Sequence, residues 1–237
     1  MTIELTTLQR ILVFVGSPRT GSTLLGQLLN HHPDAMVANE SALVPRLLER
    51  AHRTPIDDEA LRAVAMQAVA ERAQGLESTP RFGATIDRYQ PRWTPMGKAF
   101  ANVPPCNDRP LVVGDKKAGG AAKAIERDPA WFDGLMRAEP RLVLLHLTRD
   151  TSDAARSLQR SHDYDDPDEA RAFVERLRDI ASRTCDRHPE RSITLAYETL
   201  TQDPRATLTT LAGFLGLEPH APWLEAASRV IAPSGSA

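Results

Sequence analysis

Residues 11–23 constrain this chain more than any other stretch. Residues 11–15 read Ile-Leu-Val-Phe-Val, a continuous apolar run rich in β-branched side chains, and Gly16-Ser-Pro-Arg-Thr-Gly21-Ser-Thr follows at once. An uninterrupted apolar run of that length reads as a strand buried on both faces, the kind found in parallel sheets. From Ser22 to Asn30, leucines at 24, 25, 28 and 29 form the stripe of an amphipathic helix, which stops near His31, His32 and Pro33 because proline ends helices. A glycine-rich turn between a strand and a helix aims successive backbone N–H groups, and the positive helix end, at an anion.

The alternation recurs along the chain. A short extended piece at 35–38 precedes Asn39 and Glu40, and helical patterns cover about 42–53 and 57–74. Residues 111–115, 141–147 and 192–196 read as further strands. Helical sequence follows them at 120–137, 150–161, 168–187 and 204–216, the last closing on a glycine. Strands alternating with helices predict an α/β fold, a parallel β-sheet flanked by helices on both faces. Residues 75–109 lack periodicity and hold prolines 80, 91, 95, 104 and 105 with Phe82, Tyr89 and Trp93. The stretch 42–110 therefore reads as a helical and irregular insertion within a single domain spanning 1–237, a length that suits one core.

Composition narrows the function classes. Hydrophobic residues at 41% and charged residues at 25% exclude global disorder. A net charge of −2 gives no support for a nucleic-acid or anionic-membrane surface, so neither partner is expected. Only four of the 29 cationic residues are lysines, which makes the adjacent Lys116 and Lys117 stand out. Cys106 and Cys185 form no CxxC pair and no ligand cluster, so a reducing, cytoplasmic setting is expected and no metal is implied. The polar residues 1–10 and the short apolar run after them fall short of a signal segment or a membrane span.

The loop departs from the triphosphate pattern GxxxxGK[ST]. Gly16, Gly21 and Thr23 match it, but Ser22 stands where the lysine that reaches the β/γ-phosphates belongs. That departure weighs against ATP or GTP hydrolysis and leaves Arg19 as the cation of the loop.

Residues 18–25, Pro-Arg-Thr-Gly-Ser-Thr-Leu-Leu, resemble the 5′-phosphosulfate loop of sulfotransferases, which use 3′-phosphoadenosine 5′-phosphosulfate as sulfuryl donor and release adenosine 3′,5′-bisphosphate. The strand at 142–147 runs into Arg149, with Ser157 eight residues later, and is similar to the family's 3′-phosphate motif. An arginine at a strand tip offers a bidentate fork to a terminal phosphate, and the serine hydroxyl adds one hydrogen bond. Tyr197-Glu-Thr-Leu200, Asp203-Pro204 and Phe214-Leu-Gly-Leu217 resemble the family's late signature. The three matches span residues 11–217 in the family's order.

The resemblance implies a P-loop NTPase-like sulfotransferase fold of the bacterial type. In it Pro18, Arg19, Thr20, Gly21, Ser22 and Thr23 hold the 5′ end of the donor, with Arg19 stabilising charge on the bridging oxygen, and Arg149 and Ser157 hold the 3′-phosphate. Tyr197 is either an adenine contact or a core tyrosine at a strand end. The family's late Arg-Lys-Gly-x-x-Gly loop has no counterpart here, which leaves Arg149 with nearby arginines, a modest donor affinity, or a partner chain to account for the 3′-phosphate.

Sulfuryl transfer is an in-line displacement that needs positioning, charge stabilisation and a base for the acceptor hydroxyl. Glycan-type and bacterial members place a glutamate in the region of Glu40, which makes Glu40 the expected base, although a carboxylate before a helix is also favoured electrostatically. Aromatic-substrate members use a histidine near the position of residues 112–117, where this chain has none. Gly114-Asp115-Lys116 resembles a strand-end segment of bacterial members and implies that Lys116 neutralises the sulfuryl oxygens or pairs with Glu40, while Lys117 stands beside it or on the surface. The acceptor is expected to be a small-molecule or carbohydrate hydroxyl, with Phe82, Tyr89 and Trp93 as candidate walls and His162 either near it or on a solvated loop. Two rival readings are a P-loop kinase or triphosphatase, in which Asp115 would hold magnesium, and a non-catalytic nucleotide-binding protein.

Overall fold

A computed structural model of the chain describes residues 2–49, 56–74, 99–104, 106, 108–161 and 164–231. Phe82, Tyr89, Trp93 and His162 lie outside the described residues, as do positions 50–53 of the expected second helix.

Five parallel strands form one sheet: β1 (Arg10–Val15), β2 (Ala35–Asn39), β3 (Val112–Lys116), β4 (Leu142–Thr148) and β5 (Ser192–Ala196), in the order β2-β3-β1-β4-β5. The central strand β1 sets Val13 against Asp115 of β3 and Val15 against His146 of β4, while β2 pairs Asn39 with Lys116. β1 and β4 read as unbroken apolar runs because the sheet is covered twice. Ile11, Val13, Val113, Leu142 and Leu144 face α2 (Leu43–Glu49), α3 (Asp58–Gln74), α4 (Ala118–Arg127), α5 (Pro129–Ala138) and α7 (Pro167–Arg187). Leu12, Phe14, Val112, Val143 and Leu145 face α1 (Ser22–Asn30), α8 (Tyr197–Gln202), α9 (Pro204–Leu215) and α10 (Ala221–Ile231). The remaining helix, α6 (Thr151–Arg160), packs on α7 through Ala154, Leu158 and Val174.

Several elements differ from the sequence expectation, the short helix α8 directly after β5 among them. The single helix expected at 120–137 is broken at Asp128, which ends α4 and caps α5 by accepting from the Trp131 N–H at 2.9 Å. Pro129 then opens α5, because a residue before proline leaves the helical region and proline suits a first helical position. Helix α10 was not expected at all. It is tied to α1 by the fully buried Trp223, whose Nε1–H donates to the Leu28 carbonyl at 2.7 Å and whose ring meets His32 edge-on. Truncating a tryptophan so buried costs about 3–5 kcal/mol.

The edge strand β2 is closed by side chains instead of another strand. The Val37 N–H donates to Asn30 Oδ1 (3.1 Å) and the Asn39 N–H to Glu71 Oε2 (2.8 Å), while Gln67 Nε2 donates to the Asn39 carbonyl (2.7 Å). Glu71 and Gln67 belong to α3, so this helix satisfies an edge that would otherwise present free backbone groups.

Among the described residues, three histidines are buried in this frame. His31 closes α1 through Nδ1 and the Gln27 carbonyl (2.8 Å), and His32 Nε2 lies 3.0 Å from the Glu218 carbonyl. His146 lies inside β4, where burial above all, helped by Arg178, pushes its imidazole down to about 4. The folded state then holds His146 neutral while the unfolded chain takes up a proton near 6.5. Stability contributed by that group is therefore complete above 6.5 and is lost as pH falls toward 4, by up to about 3 kcal/mol. Thermal melts across pH 7 to 4 are expected to show a shallower decline in His146→Gln than in wild type, the difference between the slopes isolating this residue; parallel slopes would contradict it.

Candidate functional site

The loop after β1 is shaped by two features of its backbone. Arg19 adopts φ +69° and Gly21 φ +87°, so the chain turns sharply before α1 begins at Ser22. Gly21 is the N-cap of α1, no side chain caps the helix, and its first turn carries no acidic residue. The orphan N–H groups at that end, with the helix dipole, favour an anion in front of the loop. Gly21 is required twice over, by its left-handed φ and because a Cβ there would lie 2.3 Å from Cδ2 of Tyr197.

Tyr197 follows β5 directly and lies over this turn. The Arg149 guanidinium, just past the tip of β4, sits 4.7 Å from the Tyr197 ring centroid and donates through Nη1 to the Arg19 carbonyl at 3.2 Å. Its Nε is buried and unpartnered. Arg19 in turn donates through Nε to Ser157 Oγ of α6 at 3.1 Å. The Asp150 N–H, one residue after Arg149, donates to Glu198 Oε1 at 3.0 Å, and the Asp150 side chain caps α6. Arg19, Gly21, Arg149, Ser157 and Tyr197 thus meet, although 178 positions separate the first from the last (197 − 19). Pro18 and Thr20 lie in the same loop, with Thr20 Oγ1 donating to the Ser17 carbonyl at 3.3 Å, while Ser22 and Thr23 open α1.

A second group gathers at the ends of β2 and β3. Lys116 Nζ donates to Glu40 Oε1 and Lys117 Nζ to Glu40 Oε2, both at 2.7 Å. Lys116 is 6% exposed, and its stem passes over Gly26 of α1, where a Cβ would stand 3.1 Å from Lys116 Cγ. Burial pushes the Glu40 carboxyl up, but Lys116 first and Lys117 with it outweigh that and hold it below the ordinary carboxylate range. The turn carrying Glu40 is strained: Glu40 has φ +62° and Ala42 φ +59°, each costing of order 1–3 kcal/mol for a non-glycine residue.

Asp115 underlies that turn. It is 3% exposed, and its two carboxylate oxygens accept from the Ser41 N–H (2.9 Å) and the Leu43 N–H (2.8 Å). Burial pushes the Asp115 carboxyl up, and the two N–H groups oppose the shift. A cavity of about 80 Å³ opens between α2 and α3, with Ser41, Leu43, Leu47, Ala60 and Val64 in its wall.

The residues nominated for the donor and the base fall into these two groups, while Phe82, Tyr89, Trp93 and His162, nominated for the acceptor, lie outside the described residues. Lys117, which the sequence left between site and surface, holds Glu40 as closely as Lys116 does. Asp115 and Glu198 have positions that sequence reasoning missed. Both stand inside quoted motifs, but nothing in a motif says that a side chain accepts from a backbone turn. Among the described residues, no group of three or more His, Cys, Asp or Glu is placed to hold a metal ion, and no helix is long and apolar enough to cross a membrane.

Substituting Gly21 tests the packing of the turn. Gly21→Ala is expected to lower the unfolding free energy by about 2 kcal/mol or more, summing a left-handed φ cost and the contact with Tyr197. Urea unfolding of Gly21→Ala with and without Tyr197→Ala checks this, because the double variant should recover the steric part only.

The sulfotransferase family model matches residues 12–222 of the chain. No curated protein sequence matches it. Known structures similar in fold include two sulfotransferase domains. One is the sulfotransferase domain from the olefin synthase of Synechococcus PCC 7002, at 20% identity over 94% of this chain and 78% of that one, with a TM-score of 0.50. The other is the sulfotransferase domain from the curacin biosynthetic pathway, at 19% identity over 93% of this chain and 83% of that one, with a TM-score of 0.55.

Proposed function

The chain belongs to the sulfotransferase family, and we propose that it moves a sulfuryl group from 3′-phosphoadenosine 5′-phosphosulfate to an acceptor hydroxyl, with Glu40 as the base. The observation that carries this reading is the meeting of Arg19, Arg149, Ser157 and Tyr197 around an uncapped helix start, with Arg149 Nε buried and unpartnered. A cationic group with an orphaned buried donor is what a ligand with two anionic ends would complete.

The roles divide along the two groups. Residues 18–23 receive the 5′-phosphosulfate end on backbone N–H groups, and Arg19 stabilises the charge that builds on the bridging oxygen. Arg149 and Ser157 receive the 3′-phosphate, and Tyr197 carries Arg149 on its ring and lies beside the nucleotide. The acceptor oxygen bonds to sulfur as the bond from sulfur to the phosphate oxygen breaks, and the hydroxyl proton passes to Glu40. Adenosine 3′,5′-bisphosphate leaves.

Glu40 is ionised because two lysines hold it, so it is ready to take a proton. It is also a weak base while both hold it. Negative charge on the sulfuryl oxygens draws Lys116 partly away, and Glu40 gains basicity as the transition state forms. The acceptor is a small-molecule or carbohydrate hydroxyl, and the chain is a single cytoplasmic domain. The kinase reading is disfavoured by Asp115, whose two oxygens are both engaged by backbone N–H groups of the Glu40 turn.

Calorimetric titration with adenosine 3′,5′-bisphosphate, then with ATP and magnesium, tests the donor. The bisphosphate is expected to bind, tenfold or more weakly in Arg149→Ala, with ATP inert; magnesium-dependent ATP binding with the bisphosphate inert would overturn the proposal. Glu40→Gln should keep the bisphosphate affinity and lose about 10²–10⁴ in the rate of sulfuryl transfer, followed from radiolabelled donor into a panel of alcohols.

A further inference from the structure

We propose that Asp115 is a positioning residue for this reaction, its buried carboxylate fixing the turn that presents Glu40 to Lys116 and Lys117. The inference rests on the reading of Glu40 as the base. Residues alternate across β3, so Asp115 shares the face of Val113 while Lys116 points toward α1. That alternation places a carboxylate in an apolar layer, where it is costly unless its oxygens are satisfied. Its two oxygens accept from backbone N–H groups, those of Ser41 and Leu43.

The turn explains why. Glu40 and Ala42 are both left-handed, which turns N–H groups inward to form a nest for an anion. The anion in this nest is supplied by the chain itself. Glu71 and Gln67 of α3 fix Asn39, the residue before Glu40, through its N–H and its carbonyl. The Glu40 N–H is held by the Lys116 carbonyl at 3.0 Å. Asp115 fixes the residues beyond, and by doing so sets the direction in which the Glu40 side chain leaves the turn. Without that hold, two strained residues relax and the carboxylate leaves the lysines.

A carbon-13 NMR titration of the Glu40 carboxyl reads this directly, with no acceptor required. In wild type Glu40 should titrate below the ordinary carboxylate range, and in Asp115→Asn it should move back toward that range while bisphosphate affinity stays within about twofold. Sulfuryl transfer by Asp115→Asn should fall at least tenfold in kcat with the donor KM unchanged. Ala42→Gly, which makes the left-handed turn cheap, should leave the wild-type titration alone and restore part of it in the Asp115→Asn background. A Glu40 titration in folded Asp115→Asn as depressed as in wild type would overturn the proposal. So would rapid amide exchange at Ser41 and Leu43 in the wild-type protein, a measurement that needs no variant. Full transfer by Glu40→Gln would instead remove the base reading, while the titration would still decide what Asp115 holds.

Discussion

All five strands run the same way, and everything functional follows from that. Parallel pairing brings the carboxyl ends of β1 to β5 to one edge of the sheet. The residues argued above leave from those ends: the loop at 16–21 from β1, Glu40 from β2, Lys116 and Lys117 from β3, Arg149 from β4 and Tyr197 from β5. The strand order makes β1 central, with β3 on one side and β4 on the other. A chain that crosses to opposite sides after its central strand opens a crevice at that point, where α/β sheets bind ligands. The loop sits over it because the loop is the continuation of β1.

The two sides of this crevice carry different charge. On the β2–β3 side, Glu40 and Asp115 stand with Lys116 and Lys117, two acids and two bases, and neither lysine is spare while Glu40 is ionised. On the β4–β5 side, Arg149 bonds to a backbone carbonyl and an aromatic ring, and the Arg19 Nε–H bonds to a hydroxyl. Two guanidinium groups thus stand where the anionic ends of the proposed nucleotide would lie. On the other side, two lysines meet the Glu40 carboxylate where the proposed proton transfer takes place.

Much of this was legible in the sequence because it is written in hydrophobic period and in turn chemistry. The apolar runs at 11–15 and 142–147 and the glycine after α9 need no tertiary information. The motif residues were legible through their resemblance to the family's loop and 3′-phosphate motifs, with Arg149 just past the end of β4 and Ser157 within α6. What was not legible depends on contacts between distant residues or on backbone angles. Nothing in Asn39-Glu40-Ser41-Ala42 announces two left-handed residues, because glutamate and alanine are poor signals for positive φ. Asp115 therefore looked like a bystander or a magnesium ligand. Tyr197, left open between nucleotide contact and core packing, packs on Gly21 and also carries Arg149.

The same backbone angles show where the fold concentrates its strain. Among the described residues, three non-glycine positions have positive φ: Arg19, Glu40 and Ala42. All three lie in the two turns proposed to receive the donor and to present the base. Such conformations persist only where their surroundings over-determine them. For Arg19 the surroundings are Ser157 and Arg149, from the far side of the sheet. For Glu40 and Ala42 they are Asp115 beneath and the two lysines above. Each turn is thus held by residues from other elements, and under the proposed roles each acting side chain is held by the interaction it would surrender. Arg19 would have to give up Ser157 to reach a bridging oxygen, and Glu40 would have to give up a lysine to take a proton. The strained backbone keeps both turns in place while their side chains exchange partners.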